Sequence, residues 1–450
     1  MKKTILLLVI LLFPFVVYSK EITSDSTITL EGSLISSKVL DDSDSTYISV
    51  TKNQIVKITS SNNIKGLYIL YELNGGKGTI SNNEITTSFG ENEFLHDYIN
   101  VEGLIGVSNT ITLKYSTDVK ITDIHVIGEG EIPSFVEMWN PPAEKADLLL
   151  ISTHSDDEQL FFLGLLPYYV AKGANVQVVY FTNHKDNKVR YHEQLHGLYT
   201  VGVRNYPIVG PIPDEWSTTL SAALKNMKSH NISENSAMAF EVEMIRRFKP
   251  LVIVGHDEKG EYGHGQHILS TYLLERAIDY ANDSTYDKDS YEKYGVWSTK
   301  KVYIHLYKKN KITMNYDEPL EYFNGRTAYE MSKLGFKKHN SQQNTWFRPW
   351  INGENNELTK AADIKTYSPC EYGLLRSLVG EDKNKNDMFE NLSFYKDIVD
   401  EDEYFNKASV ATIKEQPMEN DEKKVSTKQI VALTIIILSG IGLLILIKKL

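Results

Sequence analysis

Residues 154–157 read His-Ser-Asp-Asp, with Glu158 behind them, two residues after the apolar run 148–151. Adjacent carboxylates repel one another unless water, a cation or a proton relieves them. Further along, His264 and His267 stand three apart in the stretch GEYGHGQH, residues 260–267, after a second apolar run. A histidine, a carboxylate and a second histidine make a three-ligand catalytic zinc site with a fourth position kept for water. His154 and Asp157 supply the first two, and the HxxH pair supplies the other histidine. Zinc draws the pKa of a bound water towards ~7, and Asp156 is left free beside it to take the proton. A dication would also relieve the acidic crowding.

Such a set needs loops held side by side. From Asp147 onward, DLLLIS, NVQVVYFT and PLVIVGH read as short buried strands, with helical stretches such as QLFFLGLLPYYVAKG and ENSAMAFEVEMIRRF between them. This alternation predicts an α/β layer, a Rossmann-like, mostly parallel sheet with helices on both faces. In such sheets functional groups sit just past the carboxyl ends of the strands, where THSDDE and HDEKGEYGHGQH both fall. Residues 21–135 differ. There polar residues alternate with β-branched and aromatic ones between Gly-, Asn- and Asp-rich turns, which predicts an all-β, jelly-roll-like sandwich. A proline-punctuated connector joins the two.

The chain ends suggest a membrane context. Residues 1–19 have the basic start and apolar run of a signal peptide. Residues 430–447 are apolar enough for a single transmembrane helix, followed by two lysines that suit the cytoplasmic side. Residues 400–428 read as a polar tether. The expected localisation is therefore a single-pass membrane protein with its catalytic domain on the extracytoplasmic side.

The motifs resemble a known family. THSDDE is similar to the A-H-P-D-D-E signature of the PIG-L or LmbE-like zinc-dependent GlcNAc deacetylases, and GEYGHGQH resembles that family's G-E-Y-G-H-P-x-H block. Arg190 and Glu193 match its R-x-x-E helix, and KKHNSQQ with YGLLRSLVGEDKNKNDMFENL look like later segments of its larger members. The resemblance covers residues 145–395. It implies that His154, Asp157 and His267 bind zinc, that Asp156 is the general base, and that His264 is the acid that stabilises the oxyanion and protonates the leaving amine. It further implies that Tyr262 polarises the substrate carbonyl and that Arg190 holds a substrate hydroxyl or phosphate, although an Arg190–Glu193 helix pair is an equal structural reading. Ser155 and Gly265 stand where the family has prolines, which loosens both loops.

The expected function is removal of the N-acetyl group from N-acetylglucosamine in a glycan or glycolipid. The alternative is a surface carbohydrate-binding protein with an idle deacetylase-like domain, because residues 21–135 resemble galactose-binding jelly-roll modules. A net charge of -11 argues against a nucleic-acid partner, and one cysteine, Cys370, rules out an intramolecular disulfide. His256 with its acidic neighbours reads as loop structure, and His184, His192 and His196 as polar-face residues without assigned partners.

Overall fold

The computed structural model describes residues 21–408 together with 413 and 414. The strand Leu148–Ser152 lies at the centre of the larger layer, parallel to Val176–Asn183 on one side and Val252–Gly255 on the other. Its residues alternate between two cores. Leu148 and Leu150 pack into one buried cluster, and Leu149 and Ile151 into the other. A strand covered on both faces has no solvent side, so it is apolar throughout. Ile208–Pro213 and Lys301–His305 extend the parallel set outward on either side.

Helices Val189–Thr200 and Ala328–Phe336 contribute Leu195, Leu198, Tyr329 and Phe336 to the first core. Helices Glu234–Phe248 and Gly265–Tyr280 contribute Val242, Ile245, Leu269 and Leu273 to the second. Local chemistry sets their ends. Ser233 caps one N-terminus by accepting from Ser236 N, and Lys249, in a left-handed conformation before Pro250, ends that helix. Thr327 and Glu330 form a reciprocal capping box on Ala328–Phe336.

The N-terminal region consists of two antiparallel sheets, one of six strands and one of four. Ile55–Ile64 in the larger sheet alternates exposed and buried residues over most of its length. Val56, Ile58, Ile111 and Leu113 share a buried cluster with Leu67, Ile69 and Ile124 of the smaller sheet. One inner face and one wet face explain the period of two.

The structure corrects the expected fold class in two respects. The eight-stranded sheet is mixed, because Glu371–Ser377 runs antiparallel to Lys301–His305, and Lys311–Thr313 and Ile413–Lys414 pair antiparallel with it in turn. The expected single transmembrane helix is not found either. No helix among the described residues is long and apolar enough to cross a membrane. The longest, Gly265–Tyr280, has 16 residues and carries Glu275, Arg276 and Asp279, whereas a span takes about 20 mostly apolar ones. The expected localisation, a single-pass membrane protein with an extracytoplasmic catalytic domain, rested on that helix and has no support among the described residues. The expected signal segment 1–19, most of the tether and residues 430–447 lie outside the described residues, while Glu401–Ala408 at the tether's start is helical.

Candidate active site

His154 to Asp157 leave the central strand, and His264 to His267 lead into helix Gly265–Tyr280 after the neighbouring strand Val252–Gly255. The two loops meet. His154 Nδ1, Asp157 Oδ2 and His267 Nε2 form a triangle with all three sides 3.1 Å. Donors about 2.0 Å from a tetrahedral ion lie about 3.3 Å apart, so this triangle has the spacing to hold a zinc-sized ion.

Outer hydrogen bonds set the tautomers. His267 Nδ1 donates to Glu261 Oε2 at 2.7 Å, which leaves its Nε2 lone pair inside the triangle. His154 Nε2 faces Gln266 Oε1 at 3.0 Å and Asp214 Oδ1 at 3.4 Å, which leaves Nδ1 facing inward. The Gln266 amide is itself oriented, since its oxygen accepts from Glu215 N and its nitrogen donates to Pro213 O. Carboxylate-backed imidazoles of this kind are the usual support of a metal site. His256 Nε2 also comes within 3.5 Å of Asp157, but it accepts from Thr153 N and is thereby spent on the loop.

Glu261 is the hub of this support. It is wholly buried and accepts from His267 and His256 through one oxygen and from His305 through the other, at 2.6–2.8 Å. Burial opposes its ionisation, but the imidazoles outweigh that and hold its carboxyl well below the usual range. Asp157 behaves alike, burial being overcome by His267 and His154. Burial likewise opposes the charging of His267, yet Asp157 and Glu261 push it up to about 10. Protons thus balance the buried anions where a cation would otherwise do so, and the donor set fits a divalent metal.

Asp156 stands beside the triangle with a backbone φ of 122°. Its N–H donates to Glu158 Oε2 at 2.9 Å, and Glu158 Oε1 accepts from His339 Nε2 at 3.0 Å. This brace holds a conformation that L-residues rarely adopt. Burial pushes the Asp156 carboxyl up to about 7, against the pull of Arg190. Arg190 Nη2 lies 3.3 Å from Asp156 Oδ2, and its Nη1 donates to Asp214 Oδ2 at 3.1 Å. Glu193 accepts instead from Ser341 N and Oγ, so the two residues of the R-x-x-E helix have separate partners.

The ring of His264 lies edge-on to His154 and stacks over His267. Its Nδ1 accepts from Gln266 N at 3.1 Å, which leaves Nε2–H to donate. Burial, with the neighbouring histidines, lowers its pKa to about 2, so the ring is neutral. Tyr262, at a φ of 46°, sits in an aromatic wall. Trp216 stacks on it at 5.8 Å and 10°, and Trp346 and Trp350 approach from other sides at 5.4 Å.

The two non-proline positions have structural work. Ser155 N, a donor that proline lacks, bonds to His184 Nε2 at 3.0 Å, and Ser155 Oγ donates to Arg190 O. Gly265 N donates to Ser217 O at 2.7 Å, and a Cβ there would collide with Ser217 Oγ and press on Thr219 O. Both loops are therefore tied by hydrogen bonds where proline would have stiffened them. Asp214, Glu261, Gln266 and His305 have no role in the sequence reading. Asp214 and His305 do sit at the carboxyl ends of strands Ile208–Pro213 and Lys301–His305, which was their available signal.

Fold and site together define an α/β protein with a three-donor cluster that could hold a metal at the carboxyl ends of parallel strands. Residues 149–278 match the PIG-L family, described as GlcNAc-PI de-N-acetylase, so the chain carries a PIG-L family domain. A 1D-myo-inositol 2-acetamido-2-deoxy-alpha-D-glucopyranoside deacetylase of Geodermatophilus obscurus is 28% identical over 178 residues, 35% of this chain and 60% of its own. A protein of the same description, numbered 1, from Catenulispora acidiphila is 26% identical over 184 residues, 36% of this chain and 56% of its own. The chain thus spans between half and two thirds of the length of these curated relatives. Among solved structures, the N,N'-diacetylchitobiose deacetylase of Pyrococcus horikoshii aligns with 52% of this chain and 83% of its own at 14% identity and a TM-score of 0.35.

Proposed function

We propose that the chain is a zinc-dependent hydrolase that removes the acetyl group from an N-acetylglucosamine unit of a glycan or glycolipid. The observation that carries this reading is the 3.1 Å triangle of His154, Asp157 and His267 with a free carboxylate, Asp156, beside it. The match of residues 149–278 to a family of de-N-acetylases supports it. In this reading residues 145–395 are the catalytic domain and residues 21–135 a separate module.

Zinc held by the triangle supplies Lewis acidity, which acidifies water and polarises an amide carbonyl. The remaining work belongs to side chains. Asp156 accepts the proton of the attacking water, and a carboxyl near 7 is matched to that task at neutral pH. Arg190 and Glu158 hold it in position. His264 Nε2–H donates to the oxygen that becomes negative as the carbonyl turns tetrahedral, and Tyr262 flanks the same carbonyl. The proton taken up by Asp156 reaches the departing amine as the C–N bond breaks and acetate forms, directly or by way of His264, the acid that the family resemblance implies. Trp216 and Trp346, 58% and 63% exposed, stand at the rim around Tyr262. Flat, half-solvated indoles suit the apolar face of a pyranose ring whose hydroxyls remain wet.

The test is acetate release from a panel of GlcNAc-containing compounds by the zinc-supplied chain, with Asp156→Ala as control. Release that the variant abolishes while keeping its metal is expected. A folded, metal-loaded wild-type chain that releases no acetate from any of them would leave only the binding function.

A further inference from the structure

A second cluster of histidines and carboxylates lies where the sandwich meets the α/β layer, with His96, His192 and Glu137 buried and Asp44 and His196 partly exposed. His96 begins the strand His96–Asn100, Glu137 sits in the connector, and Asp44 precedes the strand Ile48–Val50. His192 and His196 stand one turn apart on helix Val189–Thr200. Residues 192–196 read His-Glu-Gln-Leu-His, the H-E-x-x-H pattern that puts two imidazoles on one helix face for zinc. The glutamate of that pattern is used elsewhere, since Glu193 accepts from Ser341 N and Oγ, each at 2.6 Å. With no base facing it, this cluster suits a structural ion rather than a catalytic one.

Glu137 orients two of the rings. Its Oε2 accepts from His96 Nδ1 and its Oε1 from His196 Nδ1, both at 2.7 Å, and Trp139 Nε1 steadies Oε2 at 3.2 Å. Protons on both Nδ1 atoms leave both Nε2 atoms as acceptors, and without an ion that of His96 takes a hydrogen bond from His192 Nδ1. His96 Nε2 lies 2.8 Å from His192 Nδ1, and His192 Nδ1 lies 3.4 Å from Asp44 Oδ1. His196 Nε2 lies 3.9 Å from Asp44 Oδ2. These spacings straddle the roughly 3.3 Å that separates donors around a tetrahedral zinc. A carboxylate behind two ligand imidazoles also repeats the support that Glu261 gives His267.

We propose that Asp44, His96, His192 and His196 form a second, structural zinc site, with Glu137 as the carboxylate that orients it. It clamps the sandwich to helix Val189–Thr200, the helix that also carries Arg190. The chain has a single cysteine and so no disulfide to make that link. A metal that closes segments this distant in sequence adds its binding free energy to that of folding.

The proposal is read from metal stoichiometry and needs no substrate, so it stands or falls apart from the deacetylase reading. The full chain, supplied with zinc and freed of loose metal, is expected to hold two zinc ions by elemental analysis. His196→Ala and His267→Ala should each hold one, and the double variant none. His196→Ala should also melt several degrees lower, and a chelator should bring the wild type towards that value. One ion in the wild type that His267→Ala removes, or two ions retained in His196→Ala, overturns the proposal and leaves a hydrogen-bonded histidine network. Should His196→Ala fail to fold, Asp44→Asn at the edge of the cluster replaces it. At least a tenfold loss of affinity for the second zinc, measured against a chromophoric chelator, is expected there, and an unchanged affinity overturns the proposal.

Discussion

The cleft and the interdomain cluster are built from the same side chains, but they differ in what faces the donors. In the cleft, a free carboxylate, a neutral histidine donor and a wall of exposed indoles surround the His154–Asp157–His267 triangle. At the domain junction Glu137 braces two of the rings, and the helix glutamate that would serve as a base turns away to Ser341. The contrast lies in the groups around the ligands, since imidazoles and carboxylates alone do not separate a reactive site from a clamp. Open coordination and an unassigned base mark the first, and closure marks the second.

The sharpest way to break this comparison is to remove the base. Asp156→Ala should lower acetate release by about a thousandfold, within the usual range for a lost general base, while both metals stay by elemental analysis. Substantial retained activity would strip the cleft of the feature that distinguishes it. Next in size is the support beneath the cleft. Glu261→Ala leaves three buried imidazoles without their acceptor and should weaken cleft metal binding by about ten- to a hundredfold. Zinc competition titrations would show this, with the interdomain ion unaffected. A smaller effect is expected at the rim. Trp216→Ala should raise KM several-fold for an oligosaccharide while leaving kcat nearly unchanged, because the indole binds ground and transition states alike.

The smallest effect concerns a carboxylate with no imidazole at all. Glu241 is wholly buried with both oxygens unpartnered, and burial pushes its pKa well above the usual value. A raised folded-state pKa means that the folded chain holds the proton longer. Its stabilising share is complete below the unfolded value of about 4 and is lost as pH rises towards the folded one. Glu241→Gln should therefore melt close to wild type at acidic pH and a few degrees above it at pH 8. A gap of the opposite sign in thermal melts would refute this. Beside Glu261, whose carboxyl the imidazoles pull down, Glu241 shows what the same burial does alone.

Much of the cleft was legible because its ligands come in two short blocks, each just past a strand of one sheet. Buried parallel strands announce themselves by uninterrupted apolar runs, and their carboxyl ends are where loops collect. The antiparallel edge was harder to read, since Glu371–Ser377 follows a long irregular segment and nothing local states which neighbour it joins or in what direction. The apolar run 430–447, which suggested a membrane span by length and composition, lies outside the described residues.

Sequence alone determined the chemistry of the donors: a histidine, paired aspartates and an HxxH pair, at spacings a loop can close. Tertiary structure alone decided which nitrogen of each imidazole faces inward, because the acceptors that set the tautomers have to be packed against the rings: Asp214 arrives from the loop after Ile208–Pro213, and Gln266 crosses from the 260–267 stretch to His154. It also decided that His192 and His196, bland on a helix by themselves, meet His96, Glu137 and Asp44. Those partners are up to 152 residues away along the chain, and a contact of that span exists only once two packed cores have brought their surfaces together.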